Sequence, residues 1–214
     1  MKRVYLNQTD ICLGDLFVKN IILSTVVVTT FSLFSVTEGF ADTAFGITLG
    51  QQLPDGAKSS NDDGWYDISP TKKHSLFNDY QLAFHEDTGV CSIIANSKNY
   101  ENDKYGSLAQ MQYDRIKASL NKKYISNKGF KDVDSIEYLR DGALWKEDDE
   151  FARSIVAGDR DHYTAWNFEG NALELIILAI GAEGSDETYL QLNYFSSKFE
   201  ECLEKLSSSD SDAL

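Results

Sequence analysis

Ala172-Leu173-Glu174-Leu175-Ile176-Ile177-Leu178-Ala179-Ile180 decides the fold class. The run is short and almost wholly apolar, with Gly170-Asn171 before it and Gly184-Ser185-Asp186-Glu187 beyond it. Those features predict a central strand covered on both faces rather than an amphipathic helix. Two further strands flank it, about His162 to Phe168 and Thr188 to Phe195. In the second, Leu190, Leu192 and Tyr194 alternate with Gln191 and Asn193, which predicts one apolar and one wet face.

Upstream, Leu76 to Phe84 and Val90 to Ala95 read as a hairpin turning at Asp87-Thr88-Gly89. Ser107-Leu108-Ala109-Gln110 has the form of a capping box. Behind it Ala109, Tyr113, Ile116, Leu120 and Tyr124 make a helical stripe. A shorter helix is expected after Trp145, opening on Glu147-Asp148-Asp149-Glu150 and ending near Gly158. A last helix starts at the capping box Ser197-Lys198-Phe199-Glu200 and carries Phe199, Cys202, Leu203 and Leu206 on one face. With the glycine-bounded element Phe45-Gly46-Ile47-Thr48-Leu49-Gly50 as the first strand, the order is β-β-β-α-α-β-β-β-α. The expected fold is α+β: an antiparallel sheet of about five to six strands with helices packed against it. Residues 51–75 hold both prolines and the turn Asn61-Asp62-Asp63-Gly64, and read as loop.

The N-terminus predicts an address. Lys2, Arg3 and Lys19 precede an apolar run from about Ile21 to Val36, and Gly39 and Ala41 supply a small-x-small cleavage pattern. The run falls short of the roughly 20 apolar residues of a membrane span, so a cleaved signal peptide over 1–41 is preferred to an uncleaved anchor. The expected organisation is therefore a leader at 1–41, one α+β domain at 42–206 and a tail without structure at 207–214. The expected location is periplasmic or secreted, with cleavage near Ala41 and no stable membrane anchor afterwards.

In that compartment Cys91 and Cys202 are expected to form a disulfide, Cys12 being lost with the leader. Cys91, Ile93 and Ala95 share one face of their strand, and a helix packed on that face would bring the sulfurs together. Closing so long a loop stabilises by roughly 4 kcal/mol in the chain-entropy account. Two separate buried thiols are the alternative; neither cysteine sits in a Cys-x-x-Cys motif.

A formal charge of −14 and a pI near 4.5 argue against nucleic acid and anionic membrane surfaces as partners. His74, His85 and His162 are scattered, so no metal site and no cofactor is expected. His85-Glu86-Asp87 falls at a hairpin turn, and Asp132-Val133-Asp134 and Asp159-Arg160-Asp161 read as solvated turns lacking the rest of a calcium loop. Ser119-Leu120-Asn121-Lys122 matches Ser-x-x-Lys without its companion motifs. Glu174 is the one carboxylate inside an apolar run, and exposure at a strand end is its expected situation.

Two binding candidates stand out. Trp65-Tyr66 lies in the polar loop and is either a contact platform or, for Trp65, an anchor that tucks the loop onto the domain. Glu147, Asp148, Asp149 and Glu150 are the densest acidic run; a helix N-terminus accounts for them, and a patch for a basic partner is the functional alternative. Trp145 and Trp166 read as core or edge-of-core residues.

Phe45-Gly46-Ile47-Thr48-Leu49-Gly50 after a leader, Gly89-Val90-Cys91, Trp145, and Tyr194 followed by Cys202 together resemble uncharacterised exported bacterial proteins of about this size. That resemblance implies a small, periplasmic α+β domain and carries no activity or site. The residues themselves favour a non-enzymatic exported protein that binds another macromolecule in the cell envelope, such as an envelope accessory or toxin-neutralising protein. The alternatives are a carboxylate-based envelope hydrolase acting on glycans, with Trp65 or Tyr66 as a stacking platform, and a small-ligand carrier.

Overall fold

The computed structural model describes residues 42–60 and 64–211. The expected leader at 1–41 and part of the turn at 61–64 lie outside the described residues, as do residues 212–214. The fold is α+β, built on one large antiparallel sheet. Its strands are β3 (Lys58–Ser59), β4 (Trp65–Asp67), β5 (Phe77–His85), β6 (Gly89–Ser97), β7 (Phe130–Leu139), β8 (Arg160–Phe168), β9 (Leu173–Gly184) and β10 (Glu187–Ser196). Their spatial order is β3-β4-β5-β6-β10-β9-β8-β7. Two antiparallel meanders therefore meet where β6 pairs with β10, Ile93 opposite Tyr194.

A separate hairpin, β1 (Thr43–Ala44) and β2 (Ile47–Thr48), turns through Phe45 and Gly46. Both turn residues have positive φ, 55° and 84°, as a tight primed turn requires. The Phe45 ring so presented makes edge contacts with Phe77, Tyr80 and Tyr194 at 5.0 to 6.0 Å.

The sheet has eight strands where five to six were expected, and the differences have local causes. In β7 the apolar residues Phe130, Val133, Ile136 and Leu139 recur every third position, so no period of two marks the strand. Asp132 and Asp134 accordingly belong to a strand and not to a turn. β3 and β4 are two and three residues long, too short to show a pattern, and Trp65-Tyr66 sits in β4 rather than in a loop.

One face of the sheet is covered by α1 (Ser107–Tyr124), α2 (Phe151–Val156) and the β1–β2 hairpin. Ala109, Tyr113, Ile116, Leu120 and Tyr124 are the buried residues of α1, the stripe the sequence predicts. They pack on Leu82, Ile93, Trp166, Ile176, Leu178, Leu190 and Leu192. Burying such side chains stabilises by about 1.5–3 kcal/mol each relative to exposure. The start of α1 differs from expectation, because its N-cap is Gly106 with φ of 67° and no side-chain cap. Asp103 replaces the capping box: its two carboxylate oxygens accept the Leu108 and Ala109 amides at 2.9 and 3.0 Å.

α3 (Phe199–Ser211) packs on the other face. It runs on to Ser211, where a tail without structure was expected from Ser207. Cys91 and Cys202 lie beneath it with their sulfurs at bonding distance, 2.12 Å. Cys91 does not share a face with Ile93 and Ala95 as the alternation predicts. A bulge sets Ala83 opposite Ser92 and Phe84 opposite Val90, leaving Cys91 as the extra residue between. Val90, Ile93 and Ala95 face α1, while Cys91 packs with Ala83 and Cys202 under α3. The wet face expected of β10 is also buried: Gln191 donates to Asn96 at 3.1 Å and accepts from Asn193 at 3.2 Å. Gln191 is paired on both sides in this ladder, while Asn193 Oδ1 is buried without a partner among the described residues.

Candidate functional site

The residues singled out by sequence fall in separate places. Trp65 and Tyr66 are consecutive on β4, and strand geometry sends them to opposite faces. Trp65 is half-buried against Ala83, Cys91 and Cys202, with Phe199 and Leu206 of α3 beside it. Tyr66 packs against the larger core on the other face, its ring 6.2 Å from that of Phe84. The pair does not form one platform. Trp166 is fully buried and donates its indole N–H to Asn121 at 2.8 Å. Trp145 is half-buried with the Arg153 guanidinium 4.4 Å above its ring.

The acidic run is surface, as its composition predicts. Glu147 is extended, Asp148–Glu150 form a single 3-10 turn, and α2 follows directly. Two contacts join this turn to the start of α1. The Ala152 amide donates to the Lys104 carbonyl at 3.1 Å, and the Lys104 ammonium lies 3.4 Å from Asp149. Gly106 allows the close approach; a Cβ there would come within 2.2 Å of the Phe151 ring. The same ammonium stands 5.4 Å from the centre of the Tyr105 ring, so the carboxylates and that ring are neighbours.

Tyr105, Leu108 and Met111 are 57%, 46% and 56% exposed, which makes this corner both apolar and acidic. Leu108 and Met111 are three residues apart and share a helix face away from the buried stripe. Sequence reasoning passed over them because it used periodicity to find the core and not the apolar residues left off it.

A second polar cluster lies between α2 and β7. Arg160 is buried and holds three partners: Ser154 at 3.0 Å, Glu137 at 3.0 Å and the Lys146 carbonyl at 3.2 Å. Asp159 accepts the Leu144 and Trp145 amides at 3.0 and 3.2 Å. The Asp159-Arg160-Asp161 segment is therefore a built junction and not a solvated turn.

Beside it the His162 ring stacks edge-on against Tyr113 at 4.7 Å and Phe151 at 5.8 Å, with Nδ1 4.0 Å from Glu137. Burial holds the imidazole below its ordinary value, against the opposing pull of Glu137 and Asp114. Tyr113 and Thr164 are joined through their hydroxyls at 2.5 Å, with Ser135 3.0 Å from Thr164. Burial pushes the Tyr113 phenol up to about 12. A neutral imidazole and a protonated phenol locked to a threonine hold α1 to the sheet; neither is poised to exchange protons at neutral pH.

Other candidates resolve structurally. Asp87 at the β5–β6 turn is paired with Lys205 of α3 at 2.5 Å, a contact that holds its carboxyl below the usual range. Ser119 donates to the Arg115 carbonyl at 3.0 Å on the exposed side of α1. Glu174 is the second residue of β9 and half-buried, and burial with nearby Glu200 raises its carboxyl. Among the described residues no group of three or more His, Cys, Asp or Glu side chains converges to hold a metal ion. Among them, too, no helix is long and apolar enough to cross a membrane. Neither a protein-family model, nor a curated protein, nor a solved structure matches this chain.

Proposed function

We propose that the chain is an exported, non-enzymatic domain that binds another protein in the cell envelope through the corner formed by Tyr105, Leu108, Met111 and the Glu147–Glu150 turn. The observation that carries this reading is the placement of Asp149 beside the exposed Tyr105 ring, with Lys104 between them. Exposed aromatic and Met side chains ringed by charge are the composition of recognition surfaces. The acidic turn selects a segment in which apolar residues are flanked by Lys or Arg. The disulfide-bonded Cys91–Cys202 pair supports an oxidising compartment.

Site-specific photocrosslinking in intact cells tests the reading. A crosslinker at position 111 is expected to capture one protein that a crosslinker at position 58 does not. That capture is expected to fall on Tyr105→Ala and on reversal of Asp148 and Asp149 to Lys. Equal capture from both positions, or capture indifferent to those changes, overturns it.

A further inference from the structure

The sheet has two very different edges. β3 ends one side with two residues, too few to template another strand. β7 ends the other with ten, and from Asp132 to Leu139 its register against β8 is regular. Its outer edge carries Ile136, Tyr138 and Leu139 at 36%, 49% and 38% exposed. Long open edges with apolar side chains are normally blunted or paired, since their free backbone groups invite another strand.

We infer that β7 pairs with β7 of a second copy, antiparallel across a two-fold axis at Ile136. Symmetry and charge select this register. A two-fold axis perpendicular to the sheet keeps each side chain on its own face, so only registers that place a residue opposite itself are allowed. Centring on Asp134 sets the two Asp134 carboxylates opposite each other, and centring on Glu137 does the same for Glu137. Like charges directly opposite destabilise a ladder.

Centring on Ser135 avoids that repulsion but faces Val133 with Glu137 and Ile136 with Asp134. Centring on Ile136 faces Ile136 with Ile136, Val133 with Leu139, and Asp134 with Tyr138. It also brings Asp132 opposite Arg140, one residue beyond the end of β7, and does so twice by symmetry. Asp132 reaches this contact while accepting from Asn167 at 2.6 Å within its own sheet. Glu137, already paired with Arg160, meets Ser135. Because β3 cannot repeat the contact at the far edge, the assembly closes at two copies instead of growing into a filament.

Sedimentation equilibrium of the purified, disulfide-bonded protein tests the inference, with circular dichroism checking the fold of each variant. The wild type is expected to dimerise at tens of micromolar or below, roughly the strength of a small interface. Arg140→Glu and Asp132→Lys should each weaken the dimer about tenfold, since each alters two symmetric pairs. The double variant Asp132→Lys with Arg140→Glu should recover most of that loss. Ile136→Lys, which sets two ammonium groups on the axis, should leave only monomer. A wild type that is monomeric throughout overturns the inference, including one whose β7 edge is found to accept a strand of a different protein. A dimer unaffected by Ile136→Lys, or one the charge swap fails to restore, also overturns it.

Discussion

The Asp103 carboxylate receives the Thr188 hydroxyl at 2.6 Å in the buried seam between α1 and β10. The same oxygen accepts the Ala109 amide, and its partner oxygen accepts that of Leu108. One side chain thus caps the longest of the described helices and ties it to the sheet. Asp103→Ala is expected to cost about 3 kcal/mol, combining a lost cap with a lost charge-assisted bond. Thr188→Val should cost about 1 to 2 kcal/mol. Urea unfolding of the two variants reads both; equal, small losses would show that the carboxylate does not act as a joint.

The Cys91–Cys202 bridge closes a sequence separation of 111 residues. Purified mature protein, without residues 1–41 and so without Cys12, is expected to expose no reactive thiol until reduced, even in denaturant. Replacing both cysteines with Ala should lower stability by roughly 4 kcal/mol in the chain-entropy account. Thiol titration in guanidinium with and without reductant, followed by unfolding of the variant, checks the two statements separately.

Trp65 lies with that bridge beneath α3, so its loss should be felt as stability and not as binding. Trp65→Ala is expected to cost about 2 kcal/mol, less than a fully buried tryptophan because the ring is half-exposed. Capture through position 111 should be unchanged once the variant is folded. A stable Trp65→Ala protein with lost capture would reinstate Trp65 as a contact residue.

Acid should weaken the fold in a window set by two imidazoles that the fold partly desolvates, the half-buried His162 and the more exposed His74. Burial lowers His162, and lowers His74 as well, from the ordinary value of 6.5. Above 6.5 both states are neutral at these positions and nothing is lost. As pH falls below 6.5 the unfolded chain takes up the protons first, so stability drops until each folded value is reached. His162→Phe keeps the ring between Tyr113 and Phe151 and should flatten that drop. Melting curves of both proteins at pH 7.5, 6.5 and 5.5 test it, roughly spanning the range where imidazole titrates. Parallel pH profiles would refute the assignment.

Legibility from sequence followed the strength of periodicity. The α1 stripe and the apolar β9 could be read from residue type at fixed spacing, and Cys91 and Cys202 could be paired as the two cysteines left once Cys12 is set aside. The face on which Cys91 lies could not, because the bulge beside Ala83 adds one residue and local alternation cannot show it. β7 stayed hidden for a related reason: its inner face meets the core only through Phe130 and Val133 and otherwise carries Ser135 and Glu137, so no apolar period of two marks it. At the proposed contact corner, the acids were visible as a run and Leu108 and Met111 as spaced residues off the core stripe, whereas the two groups become neighbours only when α2 folds back against Lys104.

The junction of β6 with β10 also fixes an order of events during synthesis. All nine residues of β6 are buried in the finished sheet, yet their partner strand is Glu187–Ser196. Until that late segment emerges, the nascent chain holds a strand destined for full burial with one side unpaired. Cys202 follows a few residues later, so the native sulfur bridge can close only after every strand of the sheet has been synthesised. Premature oxidation would have no native partner to find, and a chain halted before β10 would be a substrate for chaperones or proteases.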